Sequence, residues 1–129
     1  MSIRVDIDQL GESIAQFGRA AFVLTTGDDH RPHVTHAAIV LAEGRISCQV
    51  GRGAGANANA RPGVSLLWPP HEAGGYSLIV DGDATVEPLD EGNRLHIAPT
   101  AAVLHRPVPK PDADADGCAN DCVPLTTED

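Results

Sequence analysis

The spacing of apolar residues changes at Gly18, and this change divides the chain into a helical start and a long extended part. Before it, Leu10, Ile14 and Phe17 recur at helical spacing. This predicts a short amphipathic helix over 8–19, with Asp8 as its N-cap and Gly18 near its end. After Gly18 the apolar residues largely alternate with polar ones, which is the period of a β-strand. The chain is therefore expected to be mainly β with a short N-terminal helix.

Turn residues divide the extended part into segments that predict strands. The segment 45–50 alternates most clearly and places Cys48 on its apolar face, where we expect a core residue. Glu43 and Gly44 form a two-residue turn before it, which predicts an antiparallel hairpin with the preceding strand. The predicted strands are 20–26, 34–42, 45–50, 64–68, 76–87 and 95–104. About six antiparallel strands with one leading helix favour a small closed or partly open barrel.

Charge and composition limit the partners of the chain. Its 129 residues carry 18 acidic and 9 basic side chains, a net charge of −9. An acidic chain without a basic stripe is a poor match to nucleic acid or to an anionic membrane, and we expect neither as a partner. No stretch approaches the roughly 18 apolar residues of a membrane span, and no secretory signal is visible, so a cytoplasmic location is expected. The predicted organisation is one domain over 1–106 and an acidic, Pro- and Asp-rich tail over 107–129.

The connection over 51–63 differs from the rest of the chain because it consists almost entirely of small residues. Its glycines allow the backbone to approach a ligand closely, and its alanines could support one helical turn. Small residues between strands also simply turn a corner, so composition alone leaves both interpretations open. Arg52 directly follows the preceding strand and is a candidate for binding an anion. Arg61 precedes Pro62 and is expected to be a solvated loop residue.

Three histidines recur every three residues at positions 30, 33 and 36, but this spacing does not indicate a metal site. Pro32 prevents a continuous helix through the three positions. On a strand, His33 and His36 point to opposite faces of the sheet. We therefore expect exposed or singly hydrogen-bonded histidines.

Cys118 and Cys122 lie in the acidic tail, four residues apart. Two thiolates at this spacing can bind a metal ion together with a histidine, for which His105 and His96 are the candidates. The two cysteines could instead form a redox disulfide or remain free thiols. The sequence leaves these three interpretations open.

Four local patterns follow one another in a characteristic order. They are Arg31-Pro-His-Val34 at the start of the second strand, Asn57 five residues before Pro62 with the strand Val64-Ser-Leu-Leu-Trp68, the strand Val80-Asp-Gly-Asp-Ala-Thr-Val86, and the closing strand Ile97-Ala-Pro-Thr-Ala-Ala-Val-Leu-His-Arg106. Over about 20–106, the chain resembles the pyridoxamine 5'-phosphate oxidase-like, FMN-binding split-barrel family. The resemblance implies a split β-barrel fold.

Members of this family are usually homodimers with a flavin in a groove between the subunits, so the resemblance implies a homodimer that binds FMN. The residues that it assigns to the cofactor are Thr35, His36, Gln49, Val50, Gly51, Arg52, Gly53, Asn57 and Trp68. Gln49, Val50 and Gly51 would lie along the flavin ring and ribityl chain. Arg52, Gly53 and Asn57 would surround the phosphate. Thr35 or His36 would line the ring pocket, and Trp68 or Tyr76 would form a wall on the partner's side.

The family often has a lysine three residues before the asparagine, and this chain has Ala54 there. Arg52, or the backbone N–H groups of residues 53–55, could take the place of that lysine at an anion. The cofactor alternatives therefore stay open. Relatives within the resemblance use the deazaflavin F420, carry haem or biliverdin, or hold no cofactor.

The sequence assigns no catalytic residue, because it contains no Gly-x-Ser-x-Gly elbow and no carboxylate pair that stands out. In an enzyme of this kind the chemistry belongs to the cofactor. The resemblance thus implies a flavin-dependent oxidoreductase that acts on a small organic substrate. The alternative is a non-enzymatic binding or sensing module whose cysteine-containing tail responds to metal or to redox state.

Overall fold

Eight strands and two helices make up the part of the chain that the computed structural model describes, residues 1–107. The strands are β1 (Ser2–Arg4), β2 (Ala20–Thr26), β3 (Pro32–Ala38), β4 (Val40–Ala42), β5 (Arg45–Val50), β6 (Gly63–Trp68), β7 (Ser77–Pro88) and β8 (Asn93–His105). The helices are α1 (Leu10–Phe17) and α2 (Arg52–Ala60). With eight and nine residues, neither helix is long enough to cross a membrane. The predicted tail, with Cys118 and Cys122, lies outside the described residues except for Pro107.

Seven strands form one antiparallel sheet in the order β3-β2-β6-β7-β8-β5-β4. β1 is not part of this linear order and pairs with β8. The sheet is not closed, because β3 and β4 stand at the two ends of the pairing order. This arrangement confirms the predicted fold class, a mainly β, antiparallel split barrel with a short N-terminal helix. The strands have the alternating pattern that the sequence predicted. One face of each long strand is buried and the other is open.

The core lies inside the barrel and is built from aliphatic side chains and one tryptophan. Fully buried members are Val23, Ile46, Leu66, Trp68, Leu78, Val80, Leu95 and Ile97. Cys48 is buried among them, as predicted. Burial raises the pKa of its thiol to about 11, because the apolar surroundings disfavour the thiolate. The thiol is therefore protonated and unreactive at neutral pH.

Two strand predictions need correction. β1 was not predicted, and the predicted strand 34–42 is two strands, which brings the total from six to eight. The interruption lies at Ile39, where the chain changes its pairing partner. The N–H of Ile39 still donates to the carbonyl of Arg19 at 2.6 Å, in register with the β2–β3 ladder, and Val40 then pairs with Ser47 of β5. The predicted hairpin turn is confirmed. Glu43 and Gly44 have φ values of 54° and 75°, the left-handed pair of a tight two-residue turn.

The helix predictions also differ from the structure in detail. A short 3₁₀ turn over Ile7–Gln9 precedes α1, so Asp8 lies within that turn and is not the N-cap. Gly18 ends α1 as predicted, with its N–H donating to the carbonyl of Ile14 at 2.9 Å. The connection after β5 holds a nine-residue helix, α2, where one turn was expected. Ala54 and Ala58 bury one side of this helix against the barrel.

Candidate functional site

A groove of about 570 Å³ runs between the β2–β3 turn and the first turns of α2. Residues 27–29 and 31–33 form one wall, and Gly53 and Asn57 of α2 form the other. Its size falls within the range of small-molecule sites in proteins. The groove contains two of the residues that the family resemblance assigned to the phosphate.

The N-terminus of α2 opens at this groove. Gly51 is the N-cap residue, in an extended conformation, and no side-chain cap bond is made there. The first helical bond runs from the N–H of Gly55 to the carbonyl of Gly51, at 3.0 Å. The N–H groups of Arg52, Gly53 and Ala54 therefore have no acceptor within the helix. Together with the helix dipole, they make this end of α2 favourable for an anion.

Asn57 ties α2 to β2 beside the groove. Its Nδ2 donates to Oγ1 of Thr25 at 3.2 Å, and Thr25 is buried. Its Oδ1 faces the β2–β3 turn, since a Cβ built on Gly27 would lie 4.0 Å from that oxygen. Part of the amide is therefore used within the protein. The second N–H of Nδ2 is left for the groove.

The two carboxylates of the β2–β3 turn are both paired with arginines. Oδ2 of Asp29 lies 3.8 Å from Nε of Arg31, and Oδ1 of Asp28 lies 2.8 Å from a terminal nitrogen of Arg61. Nε of Arg61 also donates to the carbonyl of Thr26 at 2.7 Å. Arg61 is therefore half-buried and joins the end of α2 to β2, which corrects the prediction of a solvated loop residue.

Arg52 is exposed and makes no ion pair within residues 1–107. Because the nearby acids are already neutralised, the start of α2 has a surplus of positive charge. Gly51 has nothing within 4 Å of a Cβ built on it, so the approach to the helix end is open.

The histidine of the groove is His33, and the sequence had favoured His36. A Cβ built on Gly53 would lie 4.0 Å from Nε2 of His33. His36 lies on the other face of β3, with its ring centroid 5.0 Å from that of Phe22. Thr35 shares the face of His33 and is half-buried. The two-residue period of β3, in which the buried Ala37 marks the inner face, is the sequence signal that would have selected His33.

Four further residues that the resemblance assigned to the cofactor or its pocket do not line the groove: Gln49, Val50, Trp68 and Tyr76. Val50 is buried at the end of β5, and Gln49 points to the other face of that strand, opposite Arg94 of β8. Trp68 is 1% exposed and its Nε1 donates to the carbonyl of Gly18 at 2.9 Å. The structure therefore places Trp68 in the core and not on a wall. The Tyr76 hydroxyl donates to the Met1 sulfur at 3.0 Å, away from the groove.

Gly55 packs inside the protein and does not face a ligand. A Cβ built there would lie 2.6 Å from Cγ of Asn93, so only glycine allows α2 to approach β8 this closely. Its N–H is already bonded to Gly51. The N–H groups without an acceptor in the helix are therefore those of residues 52–54, whereas the sequence predicted an anion nest over 53–55. Ala54, at the position of the expected lysine, is buried.

Within residues 1–107 no three histidine, cysteine, aspartate or glutamate side chains lie close enough together to hold a metal ion. Nδ1 of His105 lies 2.9 Å from the Ser2 hydroxyl. The cysteines with which it was grouped as a metal candidate lie outside the described residues.

Two mycobacterial proteins match the chain over almost its whole length. They are uncharacterized protein Mb0449c of Mycobacterium bovis and uncharacterized protein MT0457 of Mycobacterium tuberculosis. Each is 36% identical over 134 residues, which cover 93% of this chain and 94% of the relative. No family model matches the chain.

Solved structures with the same fold share much less of the sequence. A Clostridium acetobutylicum protein of the pyridoxinephosphate oxidase family is 12% identical, with a TM-score of 0.62, and covers 79% of this chain and 91% of its own. The FAD-binding protein of Mycobacterium smegmatis is 15% identical, with a TM-score of 0.58 and coverages of 82% and 100%. An F420 reductase is 17% identical, with a TM-score of 0.59 and coverages of 70% and 94%. The chain thus belongs to one family with the two mycobacterial proteins and has the split-barrel fold of the pyridoxamine 5'-phosphate oxidase-like proteins.

Proposed function

We propose that this protein binds a flavin nucleotide with its phosphate at the N-terminus of α2 and serves as an oxidoreductase for a small organic substrate. The observation that carries the proposal is the uncapped start of α2, whose second residue, Gly53, lines a groove of suitable size. Neighbours of the same fold that are named as an FAD-binding protein and an F420 reductase support a flavin-type cofactor.

The residues at the groove fit a phosphate group. Arg52 is a cation without an ion-pair partner among residues 1–107. Gly51 and Gly53 carry no side chain that would block the approach to the backbone N–H groups. The acids of the neighbouring turn are held by Arg31 and Arg61. An arginine and backbone N–H groups can therefore replace the lysine that is absent at Ala54.

When bound, the flavin supplies the redox chemistry, in which hydride or electrons pass to or from the substrate. The chain's own residues bind and orient it. Arg52 and the N–H groups of residues 52–54 hold the phosphate, and Asn57 adds a donor from the next turn of α2. The ring is expected to follow the end of β5, where Gln49 and Val50 contact it through their backbone. Thr35 and His33 line the neighbouring face of β3.

Replacing Arg52 by alanine is expected to weaken flavin binding by about tenfold, the effect of one lost charge-assisted contact. Titrations of the purified protein with FMN, FAD and F420, followed by fluorescence, measure the affinity and identify the preferred cofactor. Arg45→Ala is the matched control, because Arg45 is an exposed arginine at the start of β5, the end of that strand that lies away from α2. Equal flavin affinity of Arg52→Ala and the wild type would contradict the phosphate site, and no binding of any of the three would overturn the proposed function.

The proposal includes a homodimer, and the structure offers a surface that suits it. Six apolar side chains lie on the side of the sheet opposite to the core and define the apolar outer face: Phe22, Leu24, Val34, Leu67, Ile79 and Val103. Cross-strand pairing places them side by side from β3 to β8. The face crosses five strands, about 19 Å at the usual strand spacing. An uncovered apolar face of this kind is typical of an interface, and a second copy of the chain offers the same face about a two-fold axis.

Val34→Asp is expected to shift the protein from dimer to monomer, with a dissociation constant at least about tenfold higher, because it buries a charge in an apolar contact. Val34 is 55% exposed in the single chain, so the change leaves the core intact. Sedimentation equilibrium measures the change. Val40→Asp is the control, since Val40 is 46% exposed on β4 and lies outside the apolar outer face. A monomeric wild type, or a variant that dimerises as well as the wild type, would refute this interface.

A further inference from the structure

The side chain of Asn93 supports the first turn of α2 from the side of β8. Asn93 is the first residue of β8 and pairs with Val50, the last residue of β5. The chain leaves β5 for α2 at this point, so Asn93 lies beside Gly51, the N-cap of the helix. Asn93 shares the inner face of β8 with the buried Leu95 and Ile97. This position directs its side chain towards α2.

Asn93 contacts α2 at two points that lie one helical turn apart. Its Nδ2 donates to the carbonyl oxygen of Gly51 at 3.4 Å. Its side chain also occupies the space beside Gly55, where a built Cβ would lie 3.0 Å from Cβ and 2.6 Å from Cγ of Asn93. Residues 51 and 55 are four apart, so both contacts fall on the same side of the helix. Together they fix the rotation of α2 as well as its distance from β8.

The opposite side of α2 faces the groove. With 3.6 residues in each turn, a residue two positions from Gly55 lies about 200° around the helix axis. Gly53 and Asn57 are the residues at these positions, and both line the groove. Asn93 does not line it. Its effect on a ligand in the groove therefore passes through the helix.

The N–H groups of residues 52–54 depend on this support, because they lie between the two contacts. The carbonyl of Gly51 accepts from the N–H of Gly55 at 3.0 Å and also from Asn93. Since the N-cap residue is a glycine, it has no side chain of its own that could hold this turn. Loss of the Asn93 side chain would free the turn to rotate, and the directions of the three N–H groups would change together.

We propose that Asn93 is a positioning residue for the phosphate of the cofactor. It holds the first turn of α2 in the rotation at which the N–H groups of residues 52–54 meet the phosphate. This inference rests on the proposed function, because it requires a phosphate at this end of the helix. Hydrogen bonds weaken steeply when the donor is misaligned, so one rotation of the turn weakens all three bonds. The preference for a phosphorylated flavin thus depends on a residue that does not touch the ligand.

Replacing Asn93 by alanine is expected to weaken FMN binding by about tenfold and to change riboflavin binding by less than about twofold. Riboflavin has the ring and ribityl chain of FMN but no phosphate. If the wild type prefers FAD or F420, that cofactor is compared with its own phosphate-free flavin. Fluorescence titrations of the intact protein give both dissociation constants. Their ratio is the readout, because general loosening of the fold would weaken both ligands alike.

Asn59→Ala is the matched control, since Asn59 is exposed near the end of the same helix and does not line the groove. It should bind both ligands like the wild type. Gly55→Ala tests the same contact from the helix and serves in case Asn93→Ala does not fold. Its added Cβ would overlap Cγ of Asn93, so FMN binding should again weaken selectively. In the double variant this overlap is absent, and the two effects should be less than additive.

Two results would overturn the role of Asn93 alone. One is FMN binding by Asn93→Ala as tight as that of the wild type, and the other is an equal loss of FMN and riboflavin affinity. In both cases the wild type still binds flavin, so the proposed function would stand. A wild type that binds no flavin would overturn the proposed function and this inference together.

Discussion

Replacing Trp68 by alanine is expected to lower the free energy of unfolding by about 3–5 kcal/mol, the range found when a large buried aromatic is removed. Trp68 is 1% exposed, and its Nε1 donates to the carbonyl of Gly18 at 2.9 Å. The variant loses the packing at the end of β6 and the bond that holds the end of α1. Urea unfolding followed by circular dichroism measures the change, because Trp68 is the single tryptophan and its fluorescence is lost.

Trp68→Phe separates the two contributions. It keeps an aromatic ring in the core but removes the N–H donor and part of the ring volume, so the loss should be about 1–3 kcal/mol, the range for a part-buried carbonyl that loses its partner. A loss for Trp68→Ala no larger than that for Trp68→Phe would show that core packing at this position contributes little. That result would contradict the burial seen in the structure.

Replacing Gly92 by alanine should destabilise the protein by about 2–5 kcal/mol, because two costs coincide at this position. Its φ is 74°, a left-handed conformation that costs most residues about 1–2 kcal/mol. A Cβ built on Gly92 would also lie 2.5 Å from the backbone oxygen of Val50, and such overpacking adds about 1–3 kcal/mol. Since Val50 immediately precedes the N-cap of α2, relief of this clash would displace the start of the helix.

Gly44→Ala is the matched control for the backbone conformation. Its φ is 75°, almost the same as that of Gly92, and nothing lies within 4 Å of a Cβ built there. We therefore expect only the conformational part, about 1–2 kcal/mol. Urea unfolding of both variants gives the difference directly. Equal losses at the two positions would show that the close approach of Gly92 to Val50 has no energetic weight.

The long strands could be predicted because each one buries a single face. Segments 20–26 and 45–50 coincide with β2 and β5, and β6, β7 and β8 differ from their predicted bounds by at most two residues at either end. β1 could not be predicted, since all three of its residues are exposed and it depends on pairing with β8. The division of 34–42 into two strands depends on a change of pairing partner after Ile39, from β2 to β5. A local sequence pattern contains no information about such a change of partner.

The sequence predicted the position of the candidate groove better than the contacts within it. Family resemblance selected Gly53 and Asn57, which line the groove. The extent of α2 was underestimated because glycine and asparagine are poor helix formers. Tertiary packing of Ala54 and Ala58 holds the helix instead. Whether Gly55 faces a ligand or Asn93 depends on the rotation of that helix against β8, which the sequence does not record.

The pairing of β1 sets the order in which the barrel can be completed. β1 pairs with β8 alone, through contacts such as Ser2 opposite His105. The N-terminal amine of Met1 also donates to the carbonyl of Arg106 at 2.9 Å. Contacts between such distant positions close a very long loop, which makes them slow to form. During synthesis β1 must therefore wait, unpaired, until β8 has emerged from the ribosome.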